Sequence, residues 1–307
     1  MKILITGSNG LLGQKLLHTF PPETGESFGV DLAENSFVVS TPHHYHKLDI
    51  SDRKATQELV KSIAPEVIIH TAAMTDVDKS ELDKETCWKI NVSGTDNLVN
   101  AASRVSARLI FISTDYVFDG SSGPYNEEDQ PNPTSYYGRS KHAGENLLRG
   151  SGLDWTIVRT IVLYGVGVNI KSSFITWLLS SLRAGRSVRI VNDQWGNSTI
   201  VDDLAAGIER LIMLKRNGIY HIGGRGFMSR CDFALKAAEV FNLNPSLISP
   251  ITTDELKQPA KRPLRSGLEI DKAERELFLS FKTVGESLEL YRRQEGSNGL
   301  AMVKRSD

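Results

Sequence analysis

The sequence has little cysteine, no long apolar run and no surplus charge of either sign. Its two cysteines, Cys87 and Cys231, lie far apart in helix-like patterns. They encode no disulfide framework and read as small buried apolar side chains in a reducing compartment. The longest apolar stretches, such as 67–70 and 109–112, are of strand length; a membrane-spanning helix needs roughly 20 apolar residues. Thirty-six basic residues stand against thirty-seven acidic ones, for a net charge of −1. With no block of one sign, there is no electrostatic case for nucleic acid or an anionic membrane. No leader-like segment precedes the first apolar strand. Adjacent histidines in His43-His44-Tyr45-His46 lack the spacing of a ligand set, so no metal site is expected. These absences leave a soluble, cytoplasmic protein acting on small molecules.

What is present is enough apolar material, 40% of 307 residues, for a main domain and a smaller lobe. Residues 2–6 read as a buried parallel strand. Gly7-Ser8-Asn9-Gly10-Leu11-Leu12-Gly13 then turns the chain into a helix beginning Gln14-Lys15-Leu16-Leu17. Strand, glycine turn and helix form a pyrophosphate cradle, because glycines allow close approach and the helix start presents free N–H groups. The spacing is GxxGxxG, a variant of the general GxGxxG fingerprint. A second strand, 27–30, ends in Asp31, placed to accept hydrogen bonds from adenosine ribose hydroxyls and to repel a 2′-phosphate. No cation follows in Leu32-Ala33-Glu34, which favours NADH over NADPH.

The reading continues with a third strand at Lys47-Leu48-Asp49-Ile50, then Ser51 as N-cap of a helix 52–63. A fourth strand, 67–70, runs into Thr71-Ala72-Ala73, small residues against which a cofactor ribose can lie. A long helix, 84–103, carries Asn91. The fifth strand, 108–112, delivers Ser113-Thr114-Asp115-Tyr116-Val117-Phe118-Asp119-Gly120 to the same edge. A loop rich in proline and acid follows, with Pro124, Glu127, Glu128, Pro131 and Pro133, and should cover the site. The sixth strand is 155–159. Repeated strand and helix alternation predicts an α/β fold, a Rossmann-like doubly wound parallel sheet over residues 1–160. Beyond it the rhythm loosens into helices 172–183, 201–214 and 229–241 with strands 188–191 and 219–222. This is read as a smaller C-terminal substrate-binding lobe, 161–295, with part of 197–222 returning to the main sheet. Residues 296–307 lack apolar periodicity and read as a disordered tail.

Tyr137 and Lys141, in Tyr137-Gly138-Arg139-Ser140-Lys141, stand four apart and so share one helix face. An ammonium beside a phenol favours phenolate. Lys141 is therefore expected to bring Tyr137 toward working pH as a proton donor or acceptor.

This order of signals resembles the extended short-chain dehydrogenase/reductase family over nearly the whole chain. Ala72-Ala73-Met74-Thr75-Asp76-Val77-Asp78-Lys79, the run 113–120, Asn192-Asp193-Gln194-Trp195-Gly196 and Arg262-Pro263-Leu264-Arg265-Ser266 are similar to its dTDP-4-dehydrorhamnose reductase branch. The resemblance implies that Thr114, Tyr137 and Lys141 are catalytic, with Asn91 supporting the lysine through a water. The implied dinucleotide contacts are Gly7, Asn9, Gly10, Leu11, Leu12, Gly13, Asp31, Asp49, Ile50, Ala72, Ala73, Asn91 and Lys141. The implied substrate contacts are Thr75, Val77, Thr114, Tyr116, Tyr137 and Arg262, with Arg262 and Arg265 suited to a diphosphate. The expected activity is NAD(P)H-dependent reduction of the 4-keto group of a nucleotide-linked 6-deoxyhexose, with a homodimer as the candidate assembly.

Val162 stands where that branch often has Trp, and Ser198 where it often has Pro. Two alternatives stay open. One is an epimerase or dehydratase of the same fold, although Asp115-Tyr116 after Thr114 lacks the dehydratase Asp-Glu pair. The other is a non-catalytic cofactor-binding regulatory subunit, since the regulatory subunit of methionine adenosyltransferase carries a similar Arg, apolar run and Tyr-Gly.

Overall fold

A computed structural model describes residues 1–20, 23 and 25–303, with side chains to residue 296. Six strands carry the first half of the chain: β1 (Lys2–Thr6), β2 (Glu26–Asp31), β3 (His44–Lys47), β4 (Val67–His70), β5 (Arg108–Thr114) and β6 (Trp155–Thr160). With the later strand Gly218–His221 they form one sheet in which every pairing is parallel. The order is 218–221, β6, β5, β4, β1, β2, β3. Order reverses between β1 and β4, which opens a crevice at their carboxyl ends, where such sheets bind ligands.

Strand parity builds two cores. Ile3, Ile5, Val67, Ile69 and Val158 face one side and meet Leu16 and Leu17 of α1 (Leu11–Thr19). Leu4, Ile68, Leu109 and Ile157 face the other and meet Val60 and Ile63 of α2 (Arg53–Ile63). Both faces being covered explains why these strands read as continuous apolar runs. Along the second face come α5 (Gly94–Val105) and α6 (Tyr136–Arg149), with α3 (Val77–Leu82) and α4 (Lys84–Trp88) packed on α6.

Helices α7 (Phe174–Arg183) and α9 (Arg230–Val240) build a separate core for the lobe around Leu178, Leu179, Phe233 and Ala234. Between them in sequence, α8 (Val201–Met213) packs with α1, and 218–221 pairs with β6. The chain thus crosses from lobe to sheet within the segment 197–222. The last helix, Val284–Val303, extends into the segment expected as a tail; 304–307 lie outside the described residues.

Three local expectations are corrected. The third strand is 44–47 rather than 47–50. It is an edge strand held by stacking of His44 and His46 on Phe28, at ring distances of 4.7 and 6.5 Å, while Leu48 and Ile50 are buried outside any strand. Asp52, not Ser51, caps α2, accepting the Ala55 N–H at 3.0 Å. The long helix expected over 84–103 is divided by a π-helical turn, Lys89–Ser93, which places Asn91 between the helix and its neighbours.

The helix bearing Tyr137 and Lys141 is fixed to the sheet by a buried ion pair. Glu145, on the same face of α6, receives Arg159 of β6 through Nε at 2.9 Å and Nη2 at 2.8 Å, and both side chains are 0% exposed. Ser113 of β5 donates to the same carboxylate at 2.7 Å. Burial opposes the Glu145 charge, but Arg159 and the other donors outweigh it and hold its pKa down to about 2.

Arg159→Met should lower the unfolding free energy by about 3–5 kcal/mol, because it strands a buried carboxylate. A depressed carboxyl stabilises the fold above its ordinary pKa and loses that contribution as pH falls toward 2, so the variant should also lose part of the wild-type acid dependence. Urea titrations at pH 7 and pH 4 check this; a loss under about 1 kcal/mol would show the pair to be replaceable.

Candidate functional site

The crevice between β1 and β4 is floored by glycine. Gly7 has φ +68°, and a Cβ there would stand 2.8 Å from the Ala72 backbone. A Cβ on Gly13 would stand 2.2 Å from the Gly7 carbonyl oxygen. Helix α1 starts without a side-chain cap and without an acid in its first turn, so Leu11, Leu12 and Gly13 present helix-start N–H groups to an anion. The residues therefore fit a dinucleotide pyrophosphate.

Asp31 closes β2 with its oxygens on two backbone donors, Asn9 N at 2.9 Å and Leu32 N at 2.7 Å. Asn9 in turn holds the following segment, donating to the Asn35 carbonyl at 3.0 Å and accepting from Phe37 N at 2.8 Å. Gly10 donates back to Gly7 at 2.9 Å. Ala72 and Ala73 lie half-buried beyond β4. Asp49 caps the Ser51 N–H at 2.9 Å. Ile50 offers only backbone, since its side chain is buried in the core.

On the other side of β4, the end of β5 and the first turns of α6 bring Thr114, Tyr137 and Lys141 together; all three are buried. Tyr116 meets Tyr137 edge to face at 5.8 Å. Lys141 Nζ lies 4.0 Å over the Phe111 ring. Here the expectation that Lys141 lowers the Tyr137 pKa is corrected. Among the protein's own groups burial acts first, followed by the Asp115 charge, and Tyr137 is pushed well above the ordinary phenol range, with Thr114 pulling it partly back. Burial likewise brings Lys141 down to about 7, against the influence of Glu145 and Cys87. A dry site disfavours both charges, and burial rather than the i, i+4 pairing governs them. Tyr137 is held in its neutral, protonated form.

Asn91 does not bond Lys141 directly. Its amide accepts from Met74 N at 2.8 Å and donates to Met74 O at 3.1 Å and Ser140 Oγ at 2.9 Å. It thereby ties the β4 loop to the residue before the lysine. The histidine ending β4 joins this network. Thr95 gives its proton to the Asn91 carbonyl at 2.7 Å, so His70 Nε2 donates to Thr95 at 3.1 Å and Nδ1 accepts from Thr6 at 2.8 Å. Burial, with Lys141 adding to it, brings His70 down to about 3 and keeps it neutral.

Toward the lobe the site opens into a cleft lined by Asp115, Tyr116, Val162, Trp195, Arg230 and Ser266. Ser198 is in the same wall, so both departures from the branch pattern face this cleft. Val162 has φ +39°, a strained backbone for a β-branched residue. Thr75 is exposed and Val77 half-buried at the start of α3. Beside them Arg262 is neither free nor solvated, because it pairs with Asp78 at 2.8 Å. Arg265 lies 5.3 Å from the Trp195 ring and 5.0 Å from Phe227.

Arg230 was not legible in the sequence. Burial lowers its pKa while Tyr116 and Asp115 favour its charge, and its sole sequence mark is a place after the N-cap Ser229. A more open groove between Arg225, Leu235 and Val284 has its charges satisfied, Arg225 by Glu274 and Lys236 by Glu239. Among the described residues there is no cluster able to hold a metal ion and no helix long and apolar enough to cross a membrane.

Lys141→Met should stabilise the protein measured without added nucleotide. A lysine whose folded pKa is depressed costs stability below that pKa, and the cost fades as pH rises toward the unfolded value near 10.4. The variant should therefore melt higher at pH 7, with a smaller difference at pH 10. Thermal scans at both values check it; a lower melting temperature at pH 7 would mean that Lys141 is held charged by favourable partners.

The arrangement has close counterparts. A probable low-salt glycan biosynthesis reductase, Agl14, of Haloferax volcanii is 31% identical over 291 residues, covering 94% of this chain and 96% of that protein. Methionine adenosyltransferase 2 subunit beta of Rattus norvegicus is 31% identical, over 89% of this chain and 81% of that one. The crystal structure of dTDP-4-dehydrorhamnose reductase from Bacillus anthracis, in complex with NADP, superposes with a TM-score of 0.86 at 32% identity, over 95% of this chain and 99% of that one. The family model described as RmlD substrate binding domain matches residues 1–294, and with the parallel sheet, the glycine cradle and the Thr114, Tyr137 and Lys141 cluster it shows that this chain belongs to that family, a branch of the short-chain dehydrogenase/reductase type of NAD(P)-dependent oxidoreductases.

Proposed function

We propose that the protein reduces the 4-keto group of a nucleotide-linked 6-deoxyhexose, in deoxysugar biosynthesis, using NADH in preference to NADPH. The observation that carries this reading is the meeting of a neutral, buried Tyr137 with Thr114 and Lys141 between a dinucleotide crevice and an arginine-bearing cleft. The names of the Haloferax volcanii and Bacillus anthracis relatives support it.

A nicotinamide held in the crevice would supply the hydride; the side chains supply the rest. Tyr137 gives its hydroxyl proton to the carbonyl oxygen as charge grows there. Thr114, beside it, positions that oxygen. Lys141 offers three donors to ribose hydroxyls. Arg230 and Arg262 act on Tyr116 from the lobe side, which suits them to a diphosphate. Asp31 keeps lone pairs for ribose hydroxyls, and Lys47, the nearby cation of β3, is taken by Glu34. The same reading places the protein in the cytoplasm, alone or as a homodimer, on a small diffusible substrate. A regulatory-subunit reading has the Rattus norvegicus relative in its favour; the intact catalytic cluster favours turnover.

Tyr137→Phe removes one oxygen and leaves the ring, so NADH affinity and folding should persist while kcat falls by about 10²–10⁴. Absorbance of NADH mixed with a dTDP-4-keto-6-deoxyhexose measures this. Near wild-type turnover by the variant would rule out Tyr137 as the acid, and no turnover by the wild type would favour a binding subunit.

Asp31→Ala should cost NADH on the order of 1.5–3 kcal/mol, the loss of a charged hydrogen bond, while NADPH binding improves. Titration of both nucleotides into both proteins checks it, and a wild type that strongly prefers NADPH would remove Asp31 from the ribose.

A further inference from the structure

Asp115 divides its carboxylate between the two halves of the molecule. It lies at the end of β5, 2% exposed. Oδ1 accepts the Thr114 hydroxyl at 3.0 Å, and Oδ2 accepts the Ser266 hydroxyl at 2.6 Å from the lobe segment 260–268. Thr114 Oγ1 also accepts the Tyr116 N–H at 3.2 Å. A hydroxyl has one proton and two lone pairs. While that proton is given to Asp115, Thr114 can show a substrate oxygen only lone pairs, which repel an oxygen gaining negative charge.

Resting on the carbonyl-reduction reading above, we propose that Asp115 is a positioning residue that sets the direction of the Thr114 hydroxyl. As a carboxylate it holds the Thr114 proton. As a neutral acid it donates to Thr114 Oγ1, still accepts from Ser266, and turns the Thr114 proton toward the carbonyl oxygen beside Tyr137. The proton on Asp115 comes from solvent and stays through turnover. The single proton consumed with each hydride passes from Tyr137 to the substrate oxygen, where it forms the new O–H bond.

The groups around Asp115 make both states accessible. Burial raises its pKa to about 6, opposed by the hydroxyls of Ser266 and Thr114 and then by Arg230. The other titratable groups facing it are Tyr116 of the β5 end and Tyr137 of α6. Burial raises both, so they stay neutral across this range. Ser266 is held in turn by its own N–H, which donates to the Trp195 carbonyl at 3.1 Å. The Asp115 contact is therefore also one of the contacts between the segment 260–268 and the end of β5.

Two measurements test this. Carboxyl carbon NMR titrations of the wild type and Asp115→Asn should isolate one acid with a midpoint near 6, and Ser266→Ala, which removes a donor to the carboxylate, should move that midpoint up. With NADH and a dTDP-4-keto-6-deoxyhexose, wild-type kcat/KM should rise by at least about tenfold as pH falls from 8 to 5, one oxyanion donor being worth about 10²–10³. Asp115→Asn should lose the step at the Asp115 midpoint, and Ser266→Ala should displace it upward. Burial also brings Lys141 down to about 7, so the step is read as wild type against the two variants.

An NMR midpoint below about 4.5, or an Asp115→Asn profile identical to the wild type, would overturn the proposal. If Asp115→Asn fails to fold, an unmoved midpoint in Ser266→Ala overturns it equally. An absence of turnover at every pH would overturn the reductase reading instead, and the NMR shift in Ser266→Ala then decides the coupling by itself.

Discussion

The placing of Tyr137 and Lys141 depends on one buried ion pair. Glu145 is the third residue of the line Tyr137, Lys141, Glu145 on a single face of α6, and its bidentate contact with Arg159 fixes that face against β5 and β6. Removing water from both groups is expensive, so the pair is poor evidence of stability for its own sake. Its value is positional. The carboxylate also takes Ser113, next to Thr114, while Arg159 lies 5.0 Å from Phe118. Helix, strand ends and covering loop are thereby set in one frame.

Dryness follows from that frame and shapes the chemistry. The same burial that pushes Tyr137 up and Lys141 down leaves His70 neutral and raises Asp115 to about 6. A site whose groups are held uncharged is suited to giving a proton as charge arrives with a hydride, because each stabilising contact strengthens in low dielectric at that moment. The segment 260–268 completes the enclosure through Arg262 on Asp78, Ser266 on Asp115 and backbone bonds to Gly120 and Tyr125. The cleft wall beside this segment is where Val162 and Ser198 stand.

Much of this was legible beforehand for physical reasons. Parallel strands covered on both faces must be continuously apolar, so residues 2–6, 67–70 and 155–159 announced themselves. The close approach at Gly7 and Gly13 admits no side chain, and the i, i+4 spacing put Tyr137 and Lys141 on one face. The misreadings have equally local causes. An edge strand held by ring stacking carries no apolar pattern, which displaced the third strand. A π-helical turn leaves the helical spacing nearly intact, which hid the break at Asn91.

By itself, the sequence determined the sheet, the cradle and the shared helix face of Tyr137 and Lys141, because each rests on contacts between near neighbours or on a period of two or 3.6 residues. Only the tertiary structure decided the electrostatics. Whether Lys141 lowers Tyr137 depends on how much water remains around both, and no spacing records that. Nor does any period join Arg230 to Tyr116, Arg262 to Asp78 or Ser266 to Asp115, since these partners meet only when the lobe folds back over the carboxyl edge of the sheet.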